Sequence, residues 1–127
     1  MHNNDRTLGD ICVLDLSQDV AGPFCTKLLA GLGAEVLKVE RPGSGDVARG
    51  AGPFPHAAPH AEQSAAFLYL NTGKKGLTLD ITSQTGAAIL QRLVQACDIL
   101  IESFPPGFLD QLGLGYDALE RLNPRLI

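Results

Sequence analysis

Two stretches decide the fold: Ile11-Cys12-Val13-Leu14-Asp15-Leu16 and Glu35-Val36-Leu37-Lys38-Val39-Glu40. The first is nearly continuous in apolar character and β-branched at Ile11 and Val13, which is how a strand buried on both faces reads. The second resumes a strand pattern after Gly33. Between them Gly22-Pro23 signals a helix start, and Phe24, Cys25, Leu28, Leu29 and Leu32 fall on one apolar stripe that Gly33 ends. A helix from about Pro23 to Leu32 is predicted. The unit is therefore β-α-β, whose parallel crossover is right-handed in almost every case.

Outward from this unit the alternation continues. Residues 41–63 shift to Pro, Gly, Ala and His, which marks a long irregular loop, and loops of that length usually carry function. Ser64–Leu70 reads as a short helix, Gly76–Ile81 as a third strand, and Ser83 as the cap of a helix with Ile89, Leu90, Leu93, Val94 and Cys97 on one face. Asp98–Glu102 follows as a fourth strand. Short helices are expected around Phe108–Leu112 and Tyr116–Leu122, the second stopped by Asn123-Pro124. Leu126-Ile127 looks like a strand beginning. The pattern gives an α/β fold: an open, mainly parallel sheet with flanking helices, spanning residues 1–127 as one unit. A strand only begun leaves its neighbour with an unpaired edge, so a truncated chain is expected.

Composition narrows the functional classes. With 45% hydrophobic residues the chain can bury a core, and a formal net charge of -4 offers no positive field for nucleic acid or an anionic membrane. The polar opening Met1–Thr7 and the lack of any run of about 18 apolar residues point to a cytoplasmic protein without a signal peptide or membrane span. Cys12, Cys25 and Cys97 lack C-x-x-C spacing and sit in apolar segments, so they are expected to be reduced core thiols.

In open α/β sheets ligands bind beyond the carboxyl ends of the strands, which directs attention to Ser17–Ala21, Arg41–Arg49 and Ser103–Gly107. Lys38, Arg41 and Arg49 with Gly43 and Gly45 read either as a phosphate cradle or as a solvated basic rim softened by Glu40 and Asp46. Asn71-Thr72-Gly73-Lys74-Lys75 is a turn with adjacent cations, a phosphate clamp or an ordinary exposed turn. Glu40 closing the second strand mimics a ribose-binding acid, but the preceding turn holds only Gly22, and the dinucleotide fingerprint is missing. His56 and His60 have only Glu62 as a further ligand and make no convincing metal set. Asp15, Asp80 and Glu102 border strands, where acids more often meet backbone amides than perform catalysis.

Taken in order, several stretches resemble the class III CoA-transferase (CaiB/BaiF) family, which includes formyl-CoA and carnitine CoA-transferases and α-methylacyl-CoA racemases. They include Gly9-Asp10-Ile11, Leu14-Asp15-Leu16-Ser17, Ala21-Gly22-Pro23, Leu32 through Glu40, Gly43-Ser44-Gly45-Asp46 and Leu77-Thr78-Leu79-Asp80. Asp98 through Phe104, Leu112 through Tyr116, and Asn123 through Ile127 complete the set. The resemblance implies that residues 1–127 are the N-terminal portion of a CoA-binding Rossmann-like large domain, here incomplete, in an enzyme that moves CoA between carboxylic acids through an aspartyl-CoA thioester. No residue of this chain matches that aspartate. It further implies acyl-CoA and a carboxylic acid as substrates, no tightly bound cofactor, and two chains interlocked as a homodimer. Carried over residue by residue, it places Val20 and Ala21 near the thioester or pantetheine and Arg41 at the adenosine-phosphate end. Asn71, Lys74 and Lys75 would line the nucleotide, with Ser103 and Phe104 nearby. The chain departs from the pattern at Val20, where formyl-CoA transferases carry glutamine, at Ser103, where many members carry asparagine, and at Gln111, where many carry a basic residue. The first departure argues against transferring formyl or oxalate specificity to this chain. A racemase on the same scaffold and a non-catalytic CoA-binding remnant are the alternative readings.

Overall fold

The computed structural model describes residues 6–56 and 58–127; of the polar opening, residues 1–5 lie outside that description. Four parallel strands, β1 (Cys12–Asp15), β2 (Glu35–Glu40), β3 (Lys75–Thr78) and β4 (Ile99–Ile101), form one sheet in the order β3-β2-β1-β4. Five helices accompany them: α1 (Ala21–Gly31), α2 (Ala65–Leu70), α3 (Gln84–Ala96), α4 (Phe108–Gln111) and α5 (Tyr116–Leu122). The α/β fold expected from the alternation is the one observed.

Alternation along the strands sorts side chains between two faces. On β1, Val13 enters one apolar cluster with Ala34, Val36, Leu29 and Ala30, while Leu14 enters the other with Val39, Leu90, Val94 and Leu119. Helix α1 thus covers one face, and α3 with α5 covers the opposite one. Both faces of β1 are dry, as its unbroken apolar run demands. Ser83 caps α3, its hydroxyl accepting from the Gly86 N–H at 3.0 Å, and Ser64 does the same for α2 through Phe67. Asn123 covers the far end of α3 by donating to the Val94 and Cys97 carbonyls. Beyond it, Ile127 joins the free edge of β4, its N–H donating to the Asp98 carbonyl and its carbonyl accepting from Leu100.

Three expectations need correction. The stripe Phe24, Leu28, Leu32 is 41%, 52% and 53% exposed, and Cys25 is exposed too; α1 instead turns Pro23, Thr26, Leu29 and Ala30 toward the sheet. The cause is the Thr26 hydroxyl, which donates to buried Asp15 at 2.6 Å and fixes the rotation of the helix. The third strand begins at Lys75 and ends at Thr78, because Asp80 turns the chain with its carboxylate on Thr82 and its carbonyl on Ser83. Cys12 and Cys97 lie side by side, with Cα atoms 4.7 Å apart, while Cys25 is exposed instead of sitting in the core. The register between β1 and the end of α3 brings those two sulfurs together, which no spacing in the sequence announces.

Candidate functional site

Register builds the most unusual part of the interior. Asp15 on β1 stands opposite Lys38 on β2, and alternation puts both on the α1 face, where water is excluded. Asp15 is fully buried and accepts from Ser17, from Thr26 and, at 2.9 Å, from the Lys74 ammonium, with Lys38 at 3.9 Å. Burial alone would raise its carboxyl pKa; the Lys38 charge and the hydrogen bonds from Ser17, Thr26 and Lys74 outweigh it and hold Asp15 below the usual carboxylate range. Lys38 donates to the Ser17 carbonyl and to Asp46 at 2.7 Å, and Asp46 accepts in addition from the Asp19 and Ala48 amides. Every buried side-chain polar atom among the described residues has a partner, so this network is satisfied rather than strained.

Above it, at the carboxyl ends of β1 and β4, lies a groove of about 630 Å³. It sits where the chain leaves β1 toward β2 on one side while β4 lies on the other, the switch point at which open sheets take ligands. Gln18, Val20 and Ala21 form one wall, Ser103 and Phe104 the other, with Arg41 at the rim. Phe104 stacks on Phe108 with ring centres 4.8 Å apart, which gives the groove an apolar floor. Arg41 is exposed, and among the described residues its guanidinium makes no hydrogen bond or ion pair. The groove thus combines an apolar trough with one uncommitted cation, suited to a ligand that is apolar along its length and anionic at one end.

The cradle read around Gly43 and Gly45 borders a cavity of about 170 Å³, but its Arg49 is already committed to a carboxylate of the protein. Arg49 grips Glu40 with Nε at 2.6 Å and Nη2 at 2.8 Å, and lies 3.7 Å from the Phe67 ring. Burial would raise the Glu40 carboxyl, but the Arg49 hydrogen bond and the Asp46 N–H hold it low, and the same pairing raises Arg49. Both glycines have positive φ and carry the loop back so that the Asp46 amide reaches Glu40. The strand-bordering acids behave as structural groups: Asp15, Asp80 and Glu102 each accept a backbone N–H two residues on.

Of the residues singled out from the sequence, Val20, Ala21, Arg41, Ser103 and Phe104 converge on the groove. Asn71, Lys74 and Lys75 do not line it. The Lys74 ammonium is 1% exposed and donates to Asp15, the Pro23 carbonyl and Asn71, which leaves it no free donor. Lys75, at the amino end of β3, pairs with Glu35 at 2.7 Å in an exposed bridge. Gln18 and Asp46 lie in the strand-end segments the sequence pointed to but were not singled out within them, and nothing marked Phe108. A further signal was Asp46 as cap of the short 3-10 turn Val47–Gly50, where its side chain accepts from Ala48.

Comparison with known proteins agrees with this fold. The formyl-CoA:oxalate CoA-transferases of Afipia carboxidovorans and Rhodopseudomonas palustris are 40% and 41% identical over 122 residues, 96% of this chain. The chain spans 28% of their length. Among solved structures, a CAIB/BAIF family protein from Brucella suis superposes with a TM-score of 0.86 at 37% identity, covering 96% of this chain and 32% of that one. Rv3272 from Mycobacterium tuberculosis gives 0.83 at 42%, covering 96% and 33%. The model of CoA-transferase family III matches residues 8–127. With the parallel sheet, the groove at its switch point and the match over nearly every residue in agreement, the chain belongs to CoA-transferase family III.

Proposed function

We propose that this chain supplies part of the CoA site of an acyl-CoA:carboxylate CoA-transferase, in which CoA passes between carboxylic acids through an aspartyl-CoA thioester. The observation that carries the reading is Arg41, an uncommitted cation at the rim of an apolar groove of about 630 Å³. Pantetheine is a long, weakly polar arm that fits between Val20 and Ala21 on one side and Ser103 and Phe104 on the other. The phosphates at its far end suit a guanidinium, which offers several donors in a fixed fork. Lys74 supports the site from beneath by neutralising Asp15 and is not assigned a phosphate.

Residues 1–127 act in this reading as the N-terminal portion of the CoA-binding domain, and the nucleophilic aspartate is assigned to none of them. By themselves they bind CoA without transferring it. The intact enzyme is proposed to work in the cytoplasm as an interlocked homodimer on acyl-CoA and a carboxylic acid, with no tightly bound cofactor. No helix of the described residues is long and apolar enough to cross a membrane. The names of the curated relatives favour transfer over racemisation, while Val20 argues that the acids differ from formate and oxalate. Calorimetric titration with CoA and with pantetheine tests the site. CoA is expected to bind more tightly by about tenfold or more, the worth of a phosphate–guanidinium contact; equal affinities would remove Arg41 from it.

A further inference from the structure

The wall of the groove that precedes α1 is held in an unusual way. Its residues Ser17, Gln18 and Asp19 have successive backbone groups fixed by side chains from three other segments. The Ser17 carbonyl accepts from Lys38 of β2, the Gln18 N–H donates to the Ser103 hydroxyl at 2.9 Å, and the Asp19 N–H donates to Asp46 at 3.0 Å. Asp19 has φ of 67°, a left-handed conformation uncommon for residues with a side chain, though one that aspartate tolerates better than most. Two of the three pins belong to one ion pair, Lys38–Asp46, in which the lysine is 2% exposed and the carboxylate fully buried.

A buried pair of this kind is a poor source of stability, because desolvation of both ions offsets their attraction, and an apolar pair of similar volume often serves a core equally well. What apolar side chains cannot do is hold a carbonyl and an amide two residues apart in the loop. We infer that Lys38 and Asp46 are positioning residues: their ion pair imposes the bent path of Ser17–Val20 and thereby sets Val20 and Ala21 at the spacing from Ser103 and Phe104 that the ligand requires. The inference rests on the CoA reading of the groove for the ligand, and on the hydrogen bonds alone for the loop. Ser103 pins the middle residue from the opposite wall, so the two walls are tied to each other through Gln18, and the width of the groove is set by one loop conformation.

The test is the double variant Lys38→Met/Asp46→Leu in the full chain, which leaves neither ion unpaired in the interior. Hydrogen exchange is followed on the peptide spanning residues 16–21 and on α3, and free CoA is titrated by calorimetry. The melt is expected to fall, because Lys38 also faces Asp15 and the Ser17 carbonyl and Ala48 N–H lose their partners; the discriminating result is unchanged exchange in α3, at least about tenfold faster exchange at residues 17–20, and CoA affinity lower by about tenfold or more. A purely structural pair would instead loosen β1 and α3 together, with the affinity of the folded protein within about twofold; that outcome overturns the inference. The single variant Asp46→Asn, which keeps the acceptor for Asp19 but not the charge, is expected to fall between parent and double variant. Parent-like exchange at residues 17–20 in both variants also overturns it. Failure of the parent itself to bind CoA would refute the proposed function and leave the exchange result to decide the clamp.

Discussion

Replacing Lys74 by Met separates the buried network from the surface most sharply. The Lys74 ammonium is 1% exposed and satisfies Asp15, the Pro23 carbonyl and the Asn71 side-chain oxygen. Methionine fills much of the same volume and donates to none of them. Removing one partner of a buried ion pair costs about 3–5 kcal/mol, because the other charge stays in the interior. Asp15 would keep Thr26, Ser17 and the Lys38 ammonium 3.9 Å away, so the lower end, about 3 kcal/mol, applies. At roughly 3–6 °C per kcal/mol for a chain of this size, the melt should fall by about 9–18 °C. Lys75→Ala removes an exposed bridge in which both side chains are more than half in water, and should cost less than about 1 kcal/mol. Far-ultraviolet circular dichroism of the two variants side by side is sufficient. A loss under about 3 °C for Lys74→Met, or an equal loss for Lys75→Ala, would refute the reasoning that burial divides these adjacent lysines.

Arg41→Ala should weaken CoA binding by about 1.5–3 kcal/mol in a calorimetric titration while leaving the melt unchanged, since the guanidinium is exposed and uncommitted. Acid should destabilise the fold through Asp15 and Glu40. Both carboxyls are held low in the folded state, so their contribution is complete above the unfolded carboxylate range of about pH 4 and is lost as the pH falls through the folded values. Melts between about pH 6 and about pH 3 should show that decline, with a shallower slope in Asp15→Asn. Gly22→Ala would drive a methyl group into the Ser17 side chain beneath the groove; a loss of about 1–3 kcal/mol in a denaturant melt together with weaker CoA binding is expected.

Sequence and structure agree best where one local rule governs. The second strand, Glu35–Glu40, and the last helix, Tyr116–Leu122, keep the bounds read from their patterns, because strand alternation and a stopping Asn-Pro are properties of neighbouring residues. Ser83 caps the helix it was read to cap, and Ser64, read as the first residue of its helix, is the cap of that helix. Agreement fails where a partner distant in sequence decides. The rotation of α1 follows from Thr26 meeting Asp15, and periodicity could not reveal it with Phe24, Leu28 and Leu32 forming the more apolar stripe. The burial of Lys38 needs Asp15 placed beside it by strand register and Asp46 by a returning loop. For the same reason the two cations of the Asn71–Lys75 turn look alike in the sequence, although one is enclosed and the other in water.

The groove's walls come from segments far apart in the chain. Gln18 and Ser103, 85 residues apart, touch across it. During synthesis the first strand–helix–strand unit emerges with only one wall, and no cleft exists until β4 has docked beside β1. A ligand held there can lend its binding energy to the folded protein only after that long-range closure. CoA would then act as an arbiter of folding, rewarding chains in which β4 has docked and offering nothing to those that have stalled before it.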